Sequence, residues 1–299
     1  VELWHLLVVT FISGCVRSIY QPTRLSYAID LVGTGQAASS LAMLQLSNRI
    51  GQGLGAILAG VTMQYLGAQT AYVALALGHF IGFVVLGNLE AEGGVSARER
   101  VSLSQTFRDY GLEMLRNRTL GVLVAATSVV NIFGFAFMAV LPELVTGRLG
   151  LGAQALGFLT ASRALGGAIA MLVFGFWGSQ RYLGTVYVGV VLTFGVGLIL
   201  LALADSFLTA VGALLIVAAM ASLTDVLSQT MMQLAVEDHL RGRAMGAWMI
   251  SVGMSPIGTL EIGALAAHYG EHVALAVNGV AVIVCAGLIG LIVTRLNRL

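Results

Sequence analysis

Lysine is absent from this 299-residue chain, and charge of either sign is scarce, with Asp, Glu and Arg together making up 10% of it. A soluble domain devotes about a quarter of its residues to charge, so this sequence lacks the material for a water-facing surface. A net charge of +1 supplies no basic face for nucleic acid, which is excluded as a partner. Arginine alone among the 15 basic residues reads as genomic composition bias. The two cysteines, Cys15 and Cys285, sit inside apolar runs as small packing residues, and they indicate neither a disulfide framework nor a redox compartment. Enzyme signatures are missing too: no His/Cys metal cluster, no Gly-Lys phosphate loop and no Asp-rich prenyl-diphosphate motif. The chain is therefore expected to be no enzyme and to need no cofactor or metal. It opens Val-Glu-Leu-Trp, with an acid ahead of the apolar run 6–12, which does not suit a signal peptide. The missing initiator is expected to mark a fragment.

What remains is apolar. Hydrophobic residues make up 58% of the chain, mean hydropathy is +0.92, and 38 glycines against 3 prolines suit tightly packed membrane helices. A hydrocarbon core of about 30 Å takes roughly 20 apolar residues per helix. Runs of that kind fall near 3–20, 39–65, 69–88, 119–141, 153–177, 183–203, 207–230, 245–267 and 272–294. None shows the period-two polarity of a barrel strand. The expected fold class is an all-α membrane protein.

Orientation follows from the arginines. With connections assigned alternately to two sides, one side collects 11 arginines and the other only Arg148, while Arg17, Arg49 and Arg163 lie within spans. The rich side is cytoplasmic by the positive-inside rule. The C-terminus and the connection 89–118 are then inside and residue 1 outside. That connection opens as a flexible Glu90-Ala-Glu-Gly-Gly-Val-Ser segment and continues with Leu103, Phe107, Tyr110 and Met114 at helical spacing. Such a pattern suits an amphipathic helix on the membrane surface.

An internal repeat links the parts on either side. Gly55, Gly60 and Gly67 recur as Gly258, Gly263 and Gly270, each 203 positions later and each triplet running from the end of one span into a turn. Duplicated halves are common among transporter folds. If they correspond, the first half lacks counterparts of spans four to six. Three missing helices also agree with an odd span count that starts outside.

Local sequence carries a resemblance. Gly51-Gln-Gly-Leu-Gly55-Ala-Ile-Leu-Ala-Gly60 resembles the antiporter motif in the fifth helix of drug:proton exporters of the major facilitator superfamily, with Ala56 in place of its Pro. Pro22-Thr-Arg24 with Asp30-Leu-Val32 resembles the exit from that family's fourth helix. Leu141-Pro142 with Gly152-Ala-Gln-Ala-Leu-Gly157, and Glu237-Asp-His-Leu-Arg241-Gly-Arg243-Ala-Met-Gly246, resemble its turn into helix eight and its loop between helices ten and eleven. Gly175-Phe-Trp-Gly178-Ser-Gln-Arg181 is similar to the weaker copy of its signature loop, without the usual Asp. The likeness is to the branch of enterobactin-type siderophore exporters and macrolide efflux pumps. It implies nine of twelve helices in a major-facilitator bundle: 1–88 as the rest of an N-terminal six-helix bundle, 89–118 as a cytoplasmic linker, and 119–299 as the C-terminal bundle. The implied activity is proton-coupled efflux of small amphipathic drug-like molecules or siderophores by alternating access, with a monomer in a bacterial inner membrane. A uniporter or importer of the same fold, or an inactive remnant, remains open, and a membrane enzyme is the reading from another class.

Ionisable groups at membrane depth cost about 2.5–3.5 kcal/mol each on insertion scales, so each calls for a reason. Gln45, Arg49 and Gln52 are spaced i, i+4, i+7 on one face of the second span. They line a cavity, or Arg49 anchors a buried hydrogen-bond network. Gly51, Gly55 and Ala59 make a separate small-residue stripe suited to helix contact, and Gly60, Gly258 and Gly263 extend the packing set. Asp225 shares a face with Ser222, Gln229 and Gln233. Low dielectric disfavours a charged carboxyl, so such a group can exchange protons near neutral pH. Asp225 is a candidate coupling group or a static partner of an Arg. Glu261, after Pro256, is a proton-release candidate or a vestibule residue. Arg163 pairs with one of the acids or meets an anionic substrate. Asn131 is the weaker polar candidate on the substrate or proton pathway, and His79 reads as a packing residue.

Overall fold

The computed structural model describes residues 4, 5, 8–16, 20, 37–88, 117–177, 183–236 and 241–296. Among these, every regular element is helical. Residues 8–16 are helical within the first expected span. Beyond them come α1 (Ala37–Gly87), α2 (Arg118–Val129), α3 (Phe137–Glu143), α4 (Ala153–Trp177), α5 (Leu183–Ala202) and α6 (Phe207–Leu234). The last three are α7 (Arg241–Gly253), α8 (Ser255–Tyr269) and α9 (Glu271–Leu296). Seven stretches of the described residues are long and apolar enough to cross a membrane, the first being Ile50–Gly87 at 38 residues. That one holds two expected spans, because α1 turns at Gly67 (φ 83°, ψ 164°). Gly270, between α8 and α9, adopts φ 87° and ψ 158°. The repeated glycines thus serve as matching hinges, at a φ that L side chains rarely adopt.

Two elements that read as one span each are interrupted. α2 and α3 are joined by a π-helical turn, Val130–Gly134, and a second one, Leu144–Arg148, follows Pro142. Proline has no N–H to donate and its ring crowds the preceding turn, so the helix bond from residue 142 back to Met138 is lost. Pro256 occupies the first turn of α8, where its missing donor costs nothing, and it separates α8 from α7. Ends are capped: Ser206 and Thr209 form a reciprocal capping box at α6. The Asn117 side chain accepts from Leu120 N at 3.1 Å and donates to Ala235 O at 2.8 Å, tying the start of α2 to the end of α6.

The chain divides into two units, 1–51 with 72–99, and 52–71 with 100–299. In the first, the described residues 72–87 are almost wholly exposed and apolar. In the second, a core forms around Tyr187, Phe137, Phe194 and buried leucines of α5 and α6. Its helices meet backbone to backbone at glycines. A methyl at Gly195 (α5) would fall 2.7 Å from the Gly279 carbonyl oxygen on α9, and one at Gly279 would fall 2.8 Å from that of Gly195. Gly60 and Gly157 make a similar crossing between α1 and α4, where a methyl on Gly60 would lie 2.9 Å from Gly157 Cα, and Tyr65 donates to Gln154 Oε1 beside it at 3.1 Å. Without a hydrophobic drive between helices in lipid, such close approach supplies the contact energy. Large apolar side chains such as Leu165, Leu208, Leu260 and Leu288 face outward, more than half exposed, a surface suited to lipid.

Candidate functional site

The proposed stripe on α1 is described only in part. Gln45 and Arg49 have helical backbone, but their side chains lie outside the described residues, while Gln52 is exposed. The close contact on this helix runs through Gly60, against Ala153 and Gly157, and among the described residues nothing lies within 4 Å of a methyl on Gly51 or Gly55. In the repeat copy the roles are exchanged. Gly258 is buried and a methyl there would collide with the Ile132 carbonyl, whereas Gly263 has open surroundings. The linker 89–116 and the loop 237–240 lie outside the described residues.

The second unit holds the other candidates. Asn131 is buried in the first π-helical turn, where its Nδ2 donates to Thr127 O at 2.9 Å. π-turns of this kind recur at functional positions in helices. Arg163 is half-buried on α4 with Nη1 2.7 Å from Met138 Sδ. Asp225 is half-buried on α6, and its carbonyl accepts from Ser228 Oγ at 3.0 Å. Close by is the Tyr187 hydroxyl, fully buried, with Thr127, Cys285 and Asp225 as polar neighbours. Among the described residues it makes no hydrogen bond of good geometry.

Helix register keeps Arg163 and Asp225 apart. α4 and α6 run in the same direction, and Gly166 packs on Leu215, which puts Arg163 level with Gly212. Asp225 is thirteen residues further along α6, roughly 20 Å at about 1.5 Å per residue. Glu261 meets a residue that sequence reasoning passed over. Asn278, fully buried on α9, places its amide 3.2 and 3.3 Å from the two Glu261 carboxylate oxygens. An asparagine inside an apolar run gave no periodic signal; the counterpart distance from Gly270, nine residues back to 261 and eight on to 278, was the available clue.

Beside the turn from α8 into α9, Glu143, Gly147, Arg148, Gly270, Glu271 and His272 line an open cleft of about 610 Å³. Arg148 is engaged there, donating to Asp205 Oδ1 and to Ala202 O, both at 2.6 Å. Among the described residues no group of three His, Cys, Asp or Glu side chains could hold a metal ion. The arrangement thus offers two carboxyls on separate helices of the second unit. Asp225 is nine residues from the end of α6 at Leu234, about 13 Å, and Glu261 is eight from the end of α8 at Tyr269, about 12 Å.

Comparison with known proteins agrees with this architecture. The chain superposes with a TM-score of 0.63 on the crystal structure of a bacterial homologue of the human lysosomal transporter Spinster, in an inward-facing and unoccupied conformation. The match covers 90% of this chain and 73% of that one at 12% identity, a likeness of fold. No curated protein matches the chain in sequence. The profile of the Major Facilitator Superfamily matches residues 123–298, more than half of the 299 residues. By that match, and by its bundle of apolar helices, this chain belongs to the major facilitator superfamily, a family of membrane transporters and not of enzymes.

Proposed function

We propose that this multi-pass transporter exports small amphipathic molecules, drug-like compounds or siderophores, in exchange for protons, by alternating access between two helix bundles. The observation that supports proton coupling best is the pair of carboxyls at membrane depth, Asp225 and Glu261, on separate helices of the second unit. A carboxyl held there is costly when charged, and taking up a proton removes the cost, so each can trade protons with whichever side reaches it. The direction of transport rests on the antiporter-like stretch 51–60, whose last glycine packs on Gly157. The same stretch brings the enterobactin-exporter and macrolide-pump branch forward as the relevant one. Candidates for the substrate or proton pathway are Gln45 and Arg49 in the first unit, and Gln52, Asn131, Arg163 and the two acids in the second. The proposed setting is a bacterial inner membrane, with a monomer whose 89–118 linker and C-terminus are cytoplasmic.

Proteoliposomes carrying a pH-sensitive dye test the coupling. Outward flux of a siderophore or macrolide should move protons the opposite way, and an uncoupler should abolish accumulation. Substrate flux that leaves the dye silent would replace exchange with uniport, the reading that Ala56 permits at the motif's proline position. Reporter fusions after residue 100 and at the C-terminus should both be active in the cytoplasm. An external signal from the linker would overturn the orientation.

A further inference from the structure

We propose that Glu261 and Asn278 form a two-state proton site in which the Asn278 amide rotates to serve both charge states of the carboxyl. The proposal rests on the reading of Glu261 as a proton-pathway residue and adds its partner, Asn278, as a positioning residue.

The geometry comes from the hairpin. α8 and α9 run antiparallel from the Gly270 hinge, so Glu261 and Asn278 face each other across it. With the amide nitrogen toward Glu261, Nδ2 lies 3.2 and 3.3 Å from the two carboxylate oxygens and donates to them. Rotation by 180° puts Oδ1 in the same place, since the two amide heads are nearly isosteric. An ionised carboxylate only accepts, whereas a protonated carboxyl has one O–H to donate. The nitrogen-facing orientation therefore fits –COO⁻ and the oxygen-facing one fits –COOH. One proton adds to a carboxylate oxygen, one amide turns, and no covalent bond breaks. Asn278 is fully buried, where a polar head without a partner is costly, and this device keeps it bonded throughout. A serine or threonine hydroxyl could also serve both states; an aliphatic residue could serve neither.

The surroundings favour a site of this kind. The elements packed against α8 carry Glu143 and Arg148 at the end of the α3 segment, Glu271 and His272 at the start of α9, and Cys285 two turns beyond Asn278. Arg241 begins α7 on the far side. The open cleft lies at the Gly270 hinge itself, which joins the two helices bearing the pair.

Infrared pH-difference spectra of the full chain in lipid nanodiscs test the pair. The Glu261 carboxyl band is identified by its loss in Glu261→Gln, and the Asn278 amide band by its loss in Asn278→Ala. If Asn278→Ala does not accumulate, Asn278→Ser, which keeps a donor and an acceptor, supplies the assignment. In the wild type both bands should titrate with one midpoint. The amide band should stop responding to pH in Glu261→Gln, and Asn278→Ala should displace the carboxyl midpoint by about one pH unit. An amide band that ignores pH while the carboxyl titrates would overturn the proposal, as would a Glu261 carboxyl that never titrates. The dye experiment separates this from the exchange reading. Bands that titrate together without substrate-driven proton movement keep the pair and remove exchange. Proton movement with a silent Asn278 band does the reverse.

Discussion

Gly258→Val is expected to leave little folded protein in the membrane, while Gly263→Val, about one and a half turns along the same helix, leaves the wild-type amount. Gly258 is buried, and a methyl there would meet the Ile132 carbonyl, with Ile132 C and Cα at 2.5 and 2.9 Å. Those atoms are backbone, fixed by the π-helical turn Val130–Gly134, so no rotamer change relieves the collision. Either α8 moves away or the turn that carries Asn131 is rebuilt. Overpacking of this sort costs about 1–3 kcal/mol, up to roughly a hundredfold in the folded population, and valine's better helix propensity offsets only about 0.5 kcal/mol. Among the described residues Gly263 has nothing within 4 Å, and neither does Gly55, the repeat counterpart of Gly258, so Gly55→Val should be tolerated as well. Monodisperse peak height in fluorescence-detected size exclusion measures the outcome. Equal peaks for Gly258→Val and Gly263→Val would show that the contact with Ile132 carries no weight.

The contrast between those glycines marks how far the sequence could be read. Spans were legible because lipid demands an apolar run of fixed length, and the hinge glycines were legible because Gly67 and Gly270 each sit where one run ends and another begins. Both proved to share a backbone conformation near φ 85°, which composition alone could not show. Which glycine in a stripe touches a neighbour was not legible. That depends on which helix face meets which, and the crossings at Gly60–Gly157 and Gly195–Gly279 join residues with no sequence relation. The interruption after Val129 was hidden for another reason: the run 119–141 holds no proline and no charge to mark it, and a π-turn changes hydrogen-bond spacing without changing hydropathy. Asp225 and Glu261 stood out as charges in apolar runs. Asn278 did not, since an uncharged amide hardly disturbs a hydropathy window, yet its amide is the group that lies 3.2 and 3.3 Å from the Glu261 carboxylate oxygens.

Asp225→Asn is expected to reduce gradient-driven export to the level of empty vesicles while leaving substrate binding and membrane abundance intact. Asparagine keeps the shape of aspartate but cannot take up and release a proton, so only a coupling role predicts this split. The competing role is a static ion pair. Its natural cation on α4, Arg163, is excluded by register, being level with Gly212 and not with Asp225. If another cation held Asp225 in a dry pair, the substitution would strand that charge at about 3–5 kcal/mol, and the variant would fail to accumulate. If instead the carboxyl cycles between charged and neutral forms, the asparagine variant mimics the neutral form and spares the insertion cost of the charge, about 2.5–3.5 kcal/mol. Its abundance should then match or exceed the wild type. Arg163→Gln provides the comparison: with its guanidinium on Met138 Sδ at 2.7 Å, away from the Asp225 level, it should change substrate affinity without removing proton movement. The decisive measurement is export and dye response in the same vesicles. Persistent gradient-driven export by Asp225→Asn would take Asp225 out of the coupling mechanism and leave Glu261 as its remaining candidate in the second unit.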